Sequence, residues 1–139
     1  MSILWREEDL HDLLMAAPEL IEEGLIFKKH EVVLGQEARC DLHFIDRLGK
    51  DLYVEVKSKA GDQAVGQIIK YKIANGKSVS ARYMVAAQDF ERYTIASIIS
   101  TGFEYCIINP DDIKPAMEKY WIKELKHVNK AKAAEMFTK

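Results

Sequence analysis

Two alternating stretches separated by a five-residue loop constrain this chain more than anything else in it. From Arg39 to Ile45, Cys40, Leu42 and Phe44 face one way, while Asp41, His43 and Ile45 face the other. From Asp51 to Lys57, Leu52, Val54 and Val56 share one face, and Tyr53, Glu55 and Lys57 share the opposite one. Asp46-Arg47-Leu48-Gly49-Lys50 between them has the composition of a hairpin loop. With Leu48 at its centre, Asp41 lies directly across from Glu55. Even parity then puts both carboxylates on one face of the sheet.

The remaining segments predict what surrounds this hairpin. Glu7 to Ala17 reads as a helix, with Leu10, Leu13, Leu14 and Ala17 at helical spacing. Pro18 ends it or opens a short second turn, which Gly24 stops. Leu25 to Leu34 is strand-like, and residues 35–38 form a turn. After a short connection from Ser58 to Gly61, a helix runs to Asn75, with Ala64, Val65, Ile68 and Ile69 as its apolar stripe and Asn75-Gly76 as its stop. Ser80 to Ala87 is a strand, Phe90 to Ser100 a helix, and Phe103 to Ile108 a strand. A last amphipathic helix, about 111–130, carries Met117, Tyr120, Trp121, Leu125 and Val128 on one side. The order α-β-β-β-α-β-α-β-α implies an α/β protein. Its mixed central sheet, an antiparallel meander extended by parallel βα units, is flanked by helices.

Bulk properties narrow the class. A chain of 139 residues with 48% hydrophobic and 30% charged residues fits one soluble globular domain that needs no disulfide staples. No apolar run approaches a membrane span, and the N-terminus lacks a secretory pattern. An intracellular, cytoplasmic protein is therefore expected. Cys40 and Cys106 read as small buried hydrophobes. A net charge of −2 does not advertise a nucleic-acid binder, yet acidic residues crowd the first thirty positions and lysines the tail, so local basic surface remains available.

Directly opposed carboxylates on a strand pair have Cβ atoms ~4.5–5.5 Å apart and repel each other. A hard divalent cation removes that conflict, and oxygen ligands suit Mg²⁺ or Mn²⁺. Lys57 points to the same face, where it can orient an attacking water and offset phosphate charge. Metal-assisted phosphodiester hydrolysis is the reaction class this combination suggests. Gln67 and Tyr71, at i and i+4, share a helix face that can pack back over the hairpin.

Asp41 followed by Glu55-Val56-Lys57 resembles the PD-(D/E)XK nuclease signature, with Cys40 in place of its proline. Gln67-Ile68-Ile69-Lys70-Tyr71 is similar to the QxxxY motif of the RecB-like branch. Ala17-Pro18-Glu19, Ala38-Arg39-Cys40-Asp41-Leu42, Val54-Glu55-Val56-Lys57 and Val65-Gly66-Gln67-Ile68-Ile69-Lys70-Tyr71 together resemble the catalytic domain of the NucS/EndoMS endonucleases, from about Glu7 to Ala87 and more weakly to Ile108. The resemblance implies a restriction-endonuclease-like fold and a metal-dependent DNA endonuclease. It implies that Asp41, Glu55 and the Val56 carbonyl bind the metal and that Lys57 is the catalytic lysine. Gln67 and Tyr71 would line the site, and Glu7, or else Glu8, would complete it from the first helix. Arg39 would face the substrate backbone or form a surface ion pair. Lys59 and Lys70 are further expected DNA contacts, and His43 is a bystander.

NucS-type enzymes carry a separate N-terminal domain, for which a chain of this length has no room. Branched, single-stranded or mismatched DNA, in repair, recombination or defence, is the substrate range the resemblance suggests. A homodimer is expected, because cutting two strands favours two sites. The alternatives are a non-catalytic nucleic-acid-binding or assembly module with a nuclease-like fold, and a nuclease subunit of a larger complex docked through the last helix.

Overall fold

A computed structural model describes residues 4–36, 38–76 and 79–124. Its elements are α1 (Glu7–Ala16), a 3-10 turn (Pro18–Leu20), β1 (Ile26–Leu34), β2 (Ala38–Ile45), β3 (Asp51–Ala60), α2 (Asp62–Ala74), β4 (Arg82–Phe90), α3 (Thr94–Ser100), β5 (Glu104–Ile107) and α4 (Pro110–Glu124). The five strands lie in the order β1-β2-β3-β4-β5. β1, β2 and β3 are antiparallel neighbours, while β4 and β5 add in parallel. The expected mixed α/β sheet flanked by helices is what forms.

Alternation of apolar side chains divides the core into two layers. Leu52, Val54 and Val56 of β3 join Leu42, Phe44, Met84 and Ala86 beneath α1 and α4. Tyr53 joins Tyr83, Val85 and Ala87 beneath α2 and α3, which contribute Ala64, Val65, Ile68, Tyr71 and Ile98. β3 is thus covered on both faces, as a central strand must be when helices pack on each side.

The β2–β3 register, Leu42↔Val54 through Ile45↔Asp51, centres on Leu48 as the alternation predicts. Asp46 closes the loop by accepting the N–H groups of Leu48 and Lys50, each at 2.9 Å. Gly49 takes φ +82°, a conformation that suits glycine.

Several details differ from the sequence expectation. Ser58 to Ala60 belongs to β3 rather than to a connection. Pairing with β4 continues through Lys59↔Asp89 and Ala60↔Phe90, so the backbone groups of this polar stretch have partners. β4 correspondingly absorbs Phe90, and α3 starts only at Thr94, after Tyr93 turns the chain at φ +71°. In α2 the buried stripe ends on Tyr71, 1% exposed, whereas Ile69 is partly exposed. Cys40 lies in the layer beneath α2, not with Leu42 and Phe44, so β2 rolls between positions 40 and 42. Cys106 is only half-buried.

α4 buries Ile113 and Ala116 against the α1 layer. The side chains of Met117, Tyr120 and Trp121, and all of Leu125 and Val128, lie outside the described residues, as does the rest of the expected helix beyond Glu124. No described helix is long and apolar enough to cross a membrane.

Candidate active site

The roll in β2 opens the sheet where the carboxylates sit. Ladder pairing between β1 and β2 skips Glu31 and Asp41, and Glu31 adopts φ +54°, uncommon for a side chain of its kind. Pairing between β2 and β3 stops at Leu42↔Val54, one step short of Asp41 and Glu55. Asp41 Oδ2 accepts the Val56 N–H at 2.7 Å, so the side chain replaces a backbone acceptor. Asp41 and Glu55 then hydrogen-bond to one another, one step beyond the last ladder pair.

Three further elements converge on this pair. From α2, the buried Tyr71 hydroxyl donates to Glu55 Oε1. From β3, Lys57 Nζ lies 3.4 Å from Glu55 Oε2. From α1, Glu7 Oε1 lies 3.6 Å from Lys57 Nζ, and His11 Nε2 lies 3.7 Å from Asp41 Oδ2. Glu8 is exposed, so Glu7 is the residue that reaches the lysine. The register of α1 is held at its start by Trp5, which is fully buried. Its N–H donates to Gln88 Oε1 at 2.6 Å, and its carbonyl accepts from the Ser58 hydroxyl.

Burial and charge separate the two carboxyls. Glu55 is 4% exposed; burial first, and the Asp41 charge second, push it up to about 7 against the pull of the Tyr71 hydroxyl. Asp41 is held below the usual carboxylate range. Burial opposes this, but the His11 and Val56 N–H hydrogen bonds and the one from Glu55 outweigh it. The pair therefore shares a proton near neutrality, as opposed carboxylates do. Burial would lower Lys57, yet Glu55 and Glu7 raise it, so it stays an ammonium. Tyr71 is raised by burial and by Glu55, so it remains a donor.

Other expected residues stand further out. Gln67 is exposed on α2, one turn before Tyr71. Arg39 pairs with Glu31 at 3.9 Å and Lys59 with Asp89 at 4.0 Å, while Lys70 is exposed. His43 stacks on Tyr53 and bonds Asp51 at 2.8 Å, a structural role. A cavity of about 480 Å³ borders the site, lined by Glu7, Lys57, Lys59, Gly61 and Glu91 among others. A hollow of similar size beside Arg82 and Tyr83 touches none of the carboxylates of the cluster. His11 was not legible as a site residue. Its one signal is a position one turn after Glu7 on the same helix face.

Among the described residues no group of three or more His, Cys, Asp and Glu side chains is arranged to hold a metal. The donor set is the Asp41–Glu55 pair. That is compatible with Mg²⁺, which takes one or two carboxylates and leaves its other positions to waters and phosphate oxygens.

The family model for the endonuclease NucS C-terminal domain matches residues 6–126. The chain belongs to this family. Its fold is similar to an EndoMS–dsDNA complex (TM-score 0.70, 20% identity, 79% of this chain and 47% of that one). It is also similar to a repair endonuclease from Pyrococcus abyssi (TM-score 0.69, 21% identity, 79% and 50%) and to EndoMS in its apo form (TM-score 0.65, 20% identity, 78% and 48%). The chain thus spans about half the length of these solved structures. No curated protein matches the sequence.

Proposed function

We propose that this chain is a metal-dependent DNA endonuclease of the PD-(D/E)XK kind, acting in DNA repair. The observation that carries this reading is the meeting of Asp41, Glu55, Lys57 and Tyr71 where β2 and β3 part, with Glu7 brought to them by α1. A half-buried pair of like charges is costly to maintain, and a structural role alone does not require it. The kinship with repair endonucleases, one of them solved with double-stranded DNA, supports DNA as the substrate.

Asp41, Glu55 and the Val56 carbonyl are the groups that would hold Mg²⁺ or Mn²⁺. When bound, the ion supplies a Lewis acid for the phosphate and acidifies a water. Tyr71 fixes the rotamer of Glu55 through its hydroxyl. Lys57, steadied by Glu7, sits beside Glu55 where an ammonium can orient the attacking water and offset charge developing on the phosphate. Gln67 is a candidate to line the site, and Lys59, Lys70 and Arg39 are candidate contacts to the nucleic-acid backbone.

The test is cleavage of single-stranded, duplex, flap and mismatched DNA with Mg²⁺ or Mn²⁺, comparing wild type with Asp41→Ala. The reading expects cleavage of at least one substrate that EDTA and Asp41→Ala both abolish. Equal activity in the two proteins, or none on any substrate, refutes it.

A further inference from the structure

Behind Asp41 stand two histidines that the nuclease reading leaves without a task. His11 of α1 and His30 of β1 face each other, with Nδ1 of the first 3.0 Å from Nε2 of the second. Their rings meet edge to face, centroids 5.2 Å apart and planes at 90°. The other nitrogen of His11, Nε2, lies 3.7 Å from Asp41 Oδ2. The His11 side chain is only 12% exposed. Three elements distant in sequence thus form a chain running His30, His11, Asp41. Both the His11 and Val56 N–H contacts fall on Oδ2, so the carboxylate is held from one side.

We propose that His11 is a positioning residue for Asp41 and that His30 sets the tautomer of His11. With Nε2–H directed at the carboxylate, Nδ1 of a neutral His11 is an acceptor, and His30 Nε2–H can donate to it. A carboxylate so oriented loses less freedom on taking a divalent cation, and partners of this kind tune metal affinity. Packing alone does not explain the arrangement, because each imidazole uses a specific nitrogen on a specific partner. The inference rests on the reading of Asp41 as a metal ligand.

The experiment measures Mn²⁺ affinity of the full chain, by the paramagnetic resonance signal of free Mn²⁺, in five proteins. These are wild type, Asp41→Ala, His11→Ala, His11→Gln and His30→Ala, each checked for folding by its melting curve. His11→Ala is expected to bind about 10- to 100-fold more weakly. His11→Gln, which returns an N–H near the position of Nε2, recovers most of that loss. His30→Ala weakens binding less than His11→Ala does. Wild-type affinity in both alanine variants of the histidines, with binding lost in Asp41→Ala, overturns the inference and spares the nuclease reading. Equal weakening in His11→Gln and His11→Ala also overturns it, since the N–H then does nothing. Should His11→Ala fail to fold, His30→Ala decides: unchanged affinity there overturns the relay. Undiminished binding in Asp41→Ala refutes the nuclease reading itself, and the inference falls with it.

Discussion

Lys57 is the residue whose surroundings are most specific. It emerges from β3 between Glu55, buried in the sheet, and Glu7, offered by α1. Its ammonium is therefore both fixed in place and kept charged. Lys57→Ala is expected to lower kcat by about 10²–10³, as loss of one positioned electrostatic donor does. It should leave KM within a small factor, since the proposed reading assigns the gross binding to exposed cations elsewhere. A KM rise with unchanged kcat would instead make Lys57 a binding residue. Tyr71→Phe removes the hydroxyl from Glu55 without changing the packed ring. Cleavage should fall by roughly 10- to 100-fold while the fold persists, a loss typical of groups that orient a ligand. Circular dichroism and single-turnover kinetics check both halves of that expectation.

At the scale of elements, the architecture is held at the end of β4 opposite the site. Arg82 reaches Glu22 after the 3-10 turn, at 2.7 Å, Asp46 in the hairpin loop, at 3.1 Å, and Glu104 of β5, at 2.6 Å. One guanidinium thus joins the turn after α1, the β2–β3 loop and both parallel strands. Hydrogen bonds from Arg82 draw Glu22 below its ordinary value. Asp46 is lowered chiefly by the Lys50 N–H, with Arg82 adding to it. Carboxyls depressed in the folded state contribute stability that is complete above their unfolded values of 4.5 and 3.8 and is lost as pH falls through the folded ones. Wild type should therefore lose Tm steeply below about pH 4. Arg82→Met should melt lower at pH 7 and show a shallower acid limb. Parallel acid limbs for the two proteins would contradict this account of the cage.

The same elements show what a sequence can and cannot carry. Alternation in β2 and β3 sets the register, because a one-residue slip would turn Glu55 into the apolar layer of Leu42 and Phe44 and carry Val54 and Val56 to the face beneath α2. The carboxylate–lysine cluster followed from that register. Ser58 to Ala60 looked like a connection because its residues are polar, but its strand character comes from β4, a partner thirty residues away in the chain. Tyr93 reads as an apolar residue of the Phe90–Ser100 helix, yet the chain turns there at positive φ before α3 begins. Cys40 kept its burial and changed its face, since the roll of β2 at Asp41 is a property of three strands together. His11 offers only its place one turn after Glu7 on the same helix face. Only the packing of α1 against β2 and β3 brings its imidazole to Asp41.

For the whole molecule, the described residues place the Asp41–Glu55 pair at an opening of the sheet, in a chain of net charge −2. DNA binding would then rest on local lysines, and the cutting of two strands on pairing of two chains. We expect a homodimer; light scattering of the purified protein should give about twice the 15.9 kDa of the chain, and a monomer at all concentrations would remove it.

The central claim is that Asp41 and Glu55 are jointly a cation site. The most direct measurement is an anomalous difference map from crystals soaked in Mn²⁺. The account predicts a peak between the Asp41 and Glu55 carboxylates, absent in Asp41→Ala. A fully soaked crystal with no peak there, or with its peak at other residues, would contradict it.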